Sequence, residues 1–248
     1  MSGRIAPAEV LRVLLPEPGQ RIALADPDAA ARIDGLYRAA AADWVRMNMI
    51  GTLDGGVVGS DGTSDSISNR VDRAILERIR AMSDAVLVGA RTLRQERHTI
   101  VERADLVVVT LSGELAGHRI AEAEAHGRVH VLCPPEAVPA ARRSLPGASV
   151  HEALPDRRGT IPAAEILGIC AGLGLRRIVA EGGRGLVGRL LDDDAVDEIC
   201  LSSAPVFGEP DGPRLPGSRL GRRFERAVLA VDETGVLYSR LFRSGVRN

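Results

Sequence analysis

Two short segments of this 248-residue chain place a carboxylate beside glycines at the end of an apolar run. They are Thr52-Leu53-Asp54-Gly55-Gly56 and Glu181-Gly182-Gly183. The side chains of Asp54 and Glu181 could accept hydrogen bonds from a substrate or exchange a proton with it. Asp54 could equally only cap its own turn. If both runs are parallel strands, both segments lie at the sheet edge where α/β proteins bind ligands.

Three glycine-containing turns could hold a phosphate group at the same edge. They are Gly182-Gly183-Arg184-Gly185 before Leu186, Gly89-Ala90-Arg91-Thr92, and Thr110-Leu111-Ser112-Gly113. Glycine lets the backbone approach a ligand, and free N–H groups at a helix start can hold a diphosphate. Thr92 could cap a helix or bond a phosphate. None of these turns matches G-x-G-x-x-G, so each could also be a tight turn without a ligand.

Short apolar runs that alternate with helical patterns would position these turns. The expected strands are Ala85–Val88, Leu106–Val109, Val129–Leu132, Ile178–Ala180 and Ile199–Leu201, with helices at Ala163–Leu173 and Leu186–Leu191. A further helix after Ser68 or Asn69 has Val71, Ile75, Ile79 and Met82 on one side. Strands alternating with helices predict a mostly parallel α/β sheet.

The two ends of the chain differ from this alternation. Residues 227–231 and 236–242 flank Asp232-Glu233-Thr234-Gly235, which predicts a C-terminal antiparallel hairpin. Residues 45–49 alternate in polarity and predict a half-buried strand that begins after Trp44. Residues 1–43 contain too few apolar residues for their own core, so we expect an extension packed on one domain of residues 44–248.

Bulk properties exclude several classes of protein. A formal net charge of −1 gives no electrostatic reason to expect a nucleic-acid or membrane partner. Since the chain has neither a long apolar run nor a signal segment, we expect a cytoplasmic protein. Cys133, Cys170 and Cys200 lack metal-ligand spacing and are expected to be buried free thiols, with no metal site. The five histidines lie in polar or loop-like stretches and form no catalytic set.

Taken together and in this order, the motifs resemble the C-terminal reductase domain of the bifunctional riboflavin-biosynthesis protein. The resemblance covers residues 44–243 and is carried by Thr52–Gly55, by Arg80–Gly89 with Thr92, by Glu181–Gly183, and by Val196-Asp197-Glu198 with Ala204-Pro205. It implies a three-layer dihydrofolate reductase-like α/β fold and a homodimer. It also implies reduction of a ribosylaminopyrimidine 5′-phosphate with NADPH, through hydride transfer to the sugar carbon.

The resemblance also implies residue roles. Ile50, Ser66, Gly89, Thr92, Glu96, Thr110, Ser112 and Gly182–Leu186 would lie along NADPH, while Asn48, Thr52, Ser64, Arg80, Ile100 and Arg103 would face the substrate, with Asp54 and Glu181 catalytic. Asn48 stands where the family usually has a lysine, and Ser66 where it has a tryptophan. The resemblance therefore supports the assignment of the cofactor more strongly than the identity of the substrate. Two alternatives stay open: a dihydrofolate- or pterin-type reductase, and a non-catalytic NADPH-binding regulatory protein.

Overall fold

The computed structural model describes residues 8–95, 102–217 and 221–245, and eleven strands of these residues form one sheet. The strands are β1 (Val10–Leu15), β2 (Arg21–Ala23), β3 (Trp44–Thr52), β4 (Ala85–Gly89), β5 (Asp105–Val109), β6 (Val129–Cys133), β7 (Ser149–Glu152), β8 (Arg177–Gly182), β9 (Glu198–Ala204), β10 (Phe224–Asp232) and β11 (Leu237–Arg243). The helices are α1 (Ala29–Tyr37), α2 (Arg70–Ala81), α3 (Ala90–Gln95), α4 (Glu122–Ala125), α5 (Val138–Ser144), α6 (Ala163–Gly172) and α7 (Arg184–Asp192).

The order of the strands is β2-β1-β10-β11-β9-β3-β8-β4-β5-β6-β7. All pairs from β9 to β7 are parallel, and those from β2 to β9 are antiparallel. The predicted parallel α/β sheet and its C-terminal hairpin are therefore confirmed. The antiparallel part is larger than expected, because β1 and β2 extend it beyond the hairpin.

Helices cover both faces of the parallel part, which makes three layers. One hydrophobic cluster joins the sheet to α1–α5, and Val71, Ile75 and Ile79 of α2 belong to it. The other joins Leu87 and Val107 to α6 and α7 on the opposite face. Adjacent residues of β4 and β5 enter different clusters because side chains alternate along a strand. This two-sided burial explains why these strands read as continuous apolar runs.

Residues 45–49 form a strand as predicted, but the expectation that the strand is half-buried is wrong for residues 45–47, which are buried. β3 is the middle strand of the sheet, and Arg46 is only 3% exposed. The Arg46 guanidinium lies beside Glu198, with Nε 2.7 Å from Oε1, and Arg240 also donates to Glu198 through Nε at 2.9 Å. An arginine in a sequence suggests a surface position, but the buried carboxylate of its register partner on the adjacent strand β9 balances the charge of Arg46.

Residues before β3 share the core of the rest of the described chain. Leu11 and Val13 of β1 and Ile22 of β2 are fully buried, and the side chain of Ile33 in α1 is only 2% exposed. Arg240 donates to the carbonyl of Leu36 at 2.8 Å, which ties the end of α1 to β11. The segment thus completes the antiparallel half of the sheet.

The start of α2 is capped as expected. Asn69 is the N-cap, and its Oδ1 accepts from the backbone N–H of Asp72 at 3.0 Å. Its Nδ2 donates to Asp232 at 2.6 Å, which docks the helix start on the C-terminal hairpin. All three cysteines are buried free thiols, as predicted. Within the described residues no helix has the length and apolar character needed to cross a membrane.

Candidate functional site

Four turns of the candidate site follow four adjacent strands of the parallel sheet. They come after β3, β8, β4 and β5, which are neighbours in that order. Because these strands are parallel, their carboxyl ends lie at one edge. The sequence-based prediction that the carboxylate and glycine turns share an edge is confirmed.

The turns after β4 and β8 are pressed together at their glycines. A Cβ atom on Gly182 would lie 2.8 Å from Cγ2 of Thr92, and one on Gly183 would lie 3.1 Å from the Cα of Gly89. Gly183 also has a φ of +87°, which side chains rarely tolerate. Only glycine allows this approach of two backbones, so the edge forms a cradle that side chains would fill.

The start of α7 opens onto this cradle. Its N-cap is Gly183, and no side chain of the described residues caps it. The first helical bond runs from the N–H of Val187 to the carbonyl of Gly183 at 2.9 Å. The N–H groups of residues 184–186 therefore lack intrahelical partners and carry the positive end of the helix dipole. Arg184 and Gly185 are exposed, and Leu186 is half-buried. These donors fit a diphosphate.

Glu181 and Arg80 bind each other. Nε of Arg80 donates to Oε1 of Glu181 at 2.7 Å, and Nη2 donates to Oε2 at 2.5 Å. The side chain of Arg80 is only 19% exposed, and that of Glu181 only 5%. Burial alone would lower the pKa of Arg80, but its bonds to Glu181 raise it, so the guanidinium is charged. The pairing engages one side of Arg80 and leaves Nη1 without a hydrogen bond among the described residues.

Asp54 is held by a segment that sequence reasoning did not include. Its Oδ1 accepts from the N–H of Gly208 at 2.9 Å and from Oγ1 of Thr52 at 2.6 Å, while Oδ2 accepts from Nη1 of Arg214 at 2.6 Å. These bonds, that of Gly208 foremost, hold the pKa of Asp54 well below its usual range. The carboxylate is therefore ionised near neutral pH and is unsuited to donate a proton.

The upper part of β3 is open although the strand is central. Asn48, Met49 and Ile50 are each half-buried, whereas Thr52 is buried. Asn48 and Ile50 point to the face that α2 covers, because they pair with Cys200 and Ser202 on that side. Both lie on the sheet face that also carries Arg46. The sequence-based assignment of Asn48 and Ile50 to a ligand-facing position is compatible with this exposure.

The loop between β3 and α2 carries the two candidate serines. Ser64 and Ser66 form a short 3₁₀ turn, Ser64–Ser66, that Thr63 caps. Ser66 is buried, and its Oγ donates to Oδ1 of Asp61 at 2.7 Å. Because this hydroxyl already donates a hydrogen bond within its own loop, Ser66 can bind a ligand only if the ligand shares the hydroxyl with Asp61.

The capping alternative for Thr92 is wrong, and the turn at Thr110 differs from the turn before α7. Thr92 is the third residue of α3 and not its cap, since the helix starts at Ala90 directly after β4. The turn at Thr110 and Ser112 does not open a helix, because the next one, α4, begins only at Glu122. Oγ1 of Thr110 instead accepts from the N–H of Gly113 at 3.1 Å, and Oγ of Ser112 from the N–H of Glu114 at 3.2 Å. Both hydroxyls serve to close their turn.

Arg103 lies away from these turns. It is exposed and precedes β5 by two residues, so its backbone is at the amino-terminal edge of the sheet. Glu96 and Ile100 lie outside the described residues, as does His98. The expectation that the histidines lie in loops is wrong for two of them: His130 is in β6 and His151 in β7, with Nδ1 and Nε2 3.1 Å apart.

The segment after β9 is the main part of the site that the sequence did not reveal. Gly208 and Arg214 look unremarkable in a chain whose basic residues are all arginine. The backbone of Leu215 donates to the carbonyl of Gly55 at 2.8 Å, and a Cβ on Gly51 would lie 2.9 Å from Cδ1 of Leu215. No group of three or more potential metal ligands occurs among the described residues.

Known proteins share this architecture. A protein of Archaeoglobus fulgidus named 2,5-diamino-6-ribosylamino-4(3H)-pyrimidinone 5′-phosphate reductase is 28% identical over 192 residues, which span 69% of this chain and 85% of that protein. A solved pyrimidine reductase-like protein from Corynebacterium diphtheriae has a TM-score of 0.70 at 18% identity, over 92% of this chain and 98% of its own.

The dihydrofolate reductase of Enterococcus faecalis has the same fold at a TM-score of 0.50 and 14% identity, over 81% of this chain and 96% of its own. The expected dihydrofolate reductase-like fold is therefore confirmed. The sequence profile of the RibD C-terminal domain matches residues 43–237, which is well over half of the chain. The chain therefore belongs to the RibD C-terminal domain family.

Proposed function

We propose that this protein is an NADPH-dependent reductase that acts on a ribosylaminopyrimidine 5′-phosphate in riboflavin biosynthesis. The observation that carries the proposal is the cradle formed by Gly89, Thr92, Gly182 and Gly183 in front of the uncapped start of α7. The family match and the reductase name of the Archaeoglobus relative support the same reaction class.

The cofactor half of the proposal uses backbone donors more than side chains. The N–H groups of Arg184, Gly185 and Leu186 would bind the diphosphate, and Gly89 and Thr92 would line its other side. Arg184 is exposed and has no ion pair within the described residues, so it would be able to meet the 2′-phosphate of NADPH. NADPH supplies the hydride when bound, and the protein aligns the acceptor carbon and excludes water.

The substrate half depends on the Arg80–Glu181 pair. Glu181 fixes the guanidinium of Arg80 in one orientation and leaves Nη1 to donate to a phosphate or a ribose hydroxyl. Asn48 and Ile50 would contact the substrate or nicotinamide from the open part of β3. Thr52 and Ser64 stay predictions for the substrate side, and Ser66, Thr110 and Ser112 stay predictions for the cofactor side. Arg103 is left out of the proposed site, because its backbone lies at the opposite edge of the sheet.

The first test is a titration of the purified protein with NADPH and with NADH. We expect tighter binding of NADPH. The second is NADPH oxidation, followed by absorbance, with the diamino- and uracil-type ribosylaminopyrimidine phosphates and with dihydrofolate. Turnover of a ribosylaminopyrimidine supports the proposal, and turnover of dihydrofolate alone would replace it with the pterin-type alternative. Tight NADPH binding without turnover of any substrate would favour a regulatory protein.

A homodimer is the second part of the proposal. Leu229, Val231 and Leu241 of the antiparallel strands are half-buried and belong to neither hydrophobic cluster. Leu237 beside them is 41% exposed. A face of this kind on β10 and β11 is suited to bury its apolar area against a second copy. We expect Leu241→Arg to convert a dimer into a monomer, as measured by light scattering. Leu173→Arg, at the exposed C-cap of α6, is expected to leave the mass unchanged.

Two further expectations have not been tested. The division into an extension of residues 1–43 and a reductase domain of residues 44–248 is a prediction, although the family profile begins at residue 43. A protease would cut the chain near residue 43 if the extension is separable from the reductase domain. Because β1 pairs with β10 in the main sheet, we expect the chain to resist cleavage there. The cytoplasmic location is likewise a prediction from the sequence.

A further inference from the structure

Two exposed apolar residues belong to segments that a backbone hydrogen bond joins at the rim of the candidate site. Phe207 is 77% exposed, the highest value for a large hydrophobic residue in the described chain, and Leu53 is 62% exposed. The N–H of Leu53 donates to the carbonyl of Val206 at 2.9 Å, which joins the turn after β3 to the segment after β9. We call Leu53 and Phe207 the apolar rim. Aromatic residues make up only 2% of this chain, so an exposed one here needs an explanation.

The backbone that carries the apolar rim is fixed on both sides of Phe207. The carbonyl of Val206 accepts from Leu53, and the N–H of Gly208 donates to Asp54. A Cβ on Gly208 would lie 3.0 Å from Oγ1 of Thr52. The segment therefore lies directly on the β3 turn, while the ring of Phe207 projects into solvent.

Asp54 is the residue that joins the two segments. Besides Gly208, it binds Arg214 through Oδ2 and through its own carbonyl, both at 2.6 Å. The hydrogen bonds of Asp54 therefore hold Gly208 and Arg214 in place. Because Gly208 directly follows Phe207, these bonds also fix the backbone position of Phe207.

An exposed aromatic ring on a fixed backbone is suited to bind another planar ring. Stacking of rings contributes beyond the burial of area, and a preordered backbone lowers the entropy that binding costs. The turn after β3 belongs to the edge that also carries Glu181 and the glycine cradle. An aminopyrimidine ring bound at this edge has a flat apolar face that matches the apolar rim.

We propose that Asp54 is a positioning residue, which holds Phe207 and Leu53 as a platform for the planar ring of the substrate. The inference rests on the proposed reductase function. It assigns Asp54 an indirect part in place of proton transfer, and it assigns substrate recognition to Phe207.

The test measures KM and kcat for the ribosylaminopyrimidine, and Kd for NADPH, in matched variants. We expect Phe207→Ala to raise KM by about ten-fold or more, the usual size for loss of one stacked ring, with kcat and the NADPH Kd little changed. Phe207→Tyr is expected to restore the wild-type KM. Leu154→Ala removes an apolar residue of 61% exposure on the loop after β7 and serves as the control with unchanged KM.

A double-mutant cycle tests whether Asp54 acts through Phe207. We expect Asp54→Asn to raise KM in the wild-type background and to add little in the Phe207→Ala background, because the platform is already lost. A large fall in kcat for Asp54→Asn in both backgrounds would assign Asp54 a direct catalytic part and overturn the inference. Circular dichroism of each variant confirms that it is folded.

Other outcomes are equally decisive. Normal wild-type turnover with an unchanged KM in Phe207→Ala overturns this inference and leaves the proposed function intact. Wild-type protein that reduces no ribosylaminopyrimidine overturns both. Conversion of a dimer to a monomer by Phe207→Ala would assign the apolar rim to contact between two copies and would overturn the platform.

Discussion

The substitution Gly183→Ala tests the cradle most directly. Gly183 lies between β8 and α7 with a φ of +87°, and its added Cβ would lie 3.1 Å from the Cα and 3.2 Å from the N of Gly89. Both partners are backbone atoms, so no flexible side chain can move away. We expect the variant to fold with the turn displaced from Gly89 by a few tenths of an ångström.

The magnitude has a stability part and a binding part. A non-glycine residue in a sparsely populated backbone region costs about 1–3 kcal/mol, which lowers the Tm of a chain of this size by roughly 2–12 °C. Displacement of the turn weakens the hydrogen bonds from its N–H groups to the charged diphosphate, and the complete loss of one such bond would cost about 1.5–3 kcal/mol. We therefore expect the Kd for NADPH to rise by up to about a hundred-fold.

The assay is thermal unfolding together with calorimetric titration of NADPH. Gly168→Ala is the matched control, because Gly168 lies in α6, away from the cradle, and its Cβ would contact nothing within 4 Å. It is expected to raise stability by about 0.5–1 kcal/mol and to leave NADPH binding unchanged. Wild-type affinity in a destabilised Gly183→Ala protein would refute the placement of the diphosphate at this turn.

Further predictions concern Arg80, Glu181, Glu198 and His151. Arg80→Met alone should lower the free energy of unfolding by about 3–5 kcal/mol, and adding Glu181→Leu should restore most of it without restoring turnover. Glu198→Gln leaves two buried arginines uncompensated, so a similar loss is expected in urea unfolding. Burial and His130 lower the pKa of His151 from 6.5. Because the unfolded chain then binds the proton more readily, His151 lowers stability as pH falls through about 6.5, and His151→Gln should flatten that slope in Tm.

Each of these predictions has a control or a contradicting result. An active Arg80→Met/Glu181→Leu protein would remove the pair from the site. Glu225→Gln, at an exposed position of β10, should change stability by no more than about 0.5 kcal/mol. His126→Gln, also exposed, should keep the pH slope of the wild type. A slope that survives in His151→Gln would point to other groups.

Local sequence patterns predicted the parallel half of the fold and the location of the site. The runs at β4 and β6 are apolar because both faces of these strands are buried, and the middle residues of β5 and β8 are buried in the same way. β9 alternates between buried and half-buried residues, and only its run at 199–201 is continuously apolar. The glycines at the ends of β4 and β8 mark the turns that follow these strands. Parallel pairing then brings those turns to one edge, which follows from topology without knowledge of the packing.

Short or irregular elements were missed for the opposite reason. β2 is only three residues long, and β1 is an apolar run near the start of the chain without a helix directly after it. Both are strands because β1 pairs with the edge of β10 and β2 with β1. Arg46 breaks the apolar pattern of β3, so the strand looked half-exposed. Its partner Glu198 lies 152 residues away, and no local pattern connects them.

The sequence by itself determined where carboxylates and glycines end the strands, because these signals are local. Only the tertiary structure decided what each carboxylate does. Glu181 meets Arg80 across 101 residues, and Asp54 meets Gly208 across 154. The strength and role of a charged group depend on the donors that surround it and on its burial, and both are set by how distant segments pack.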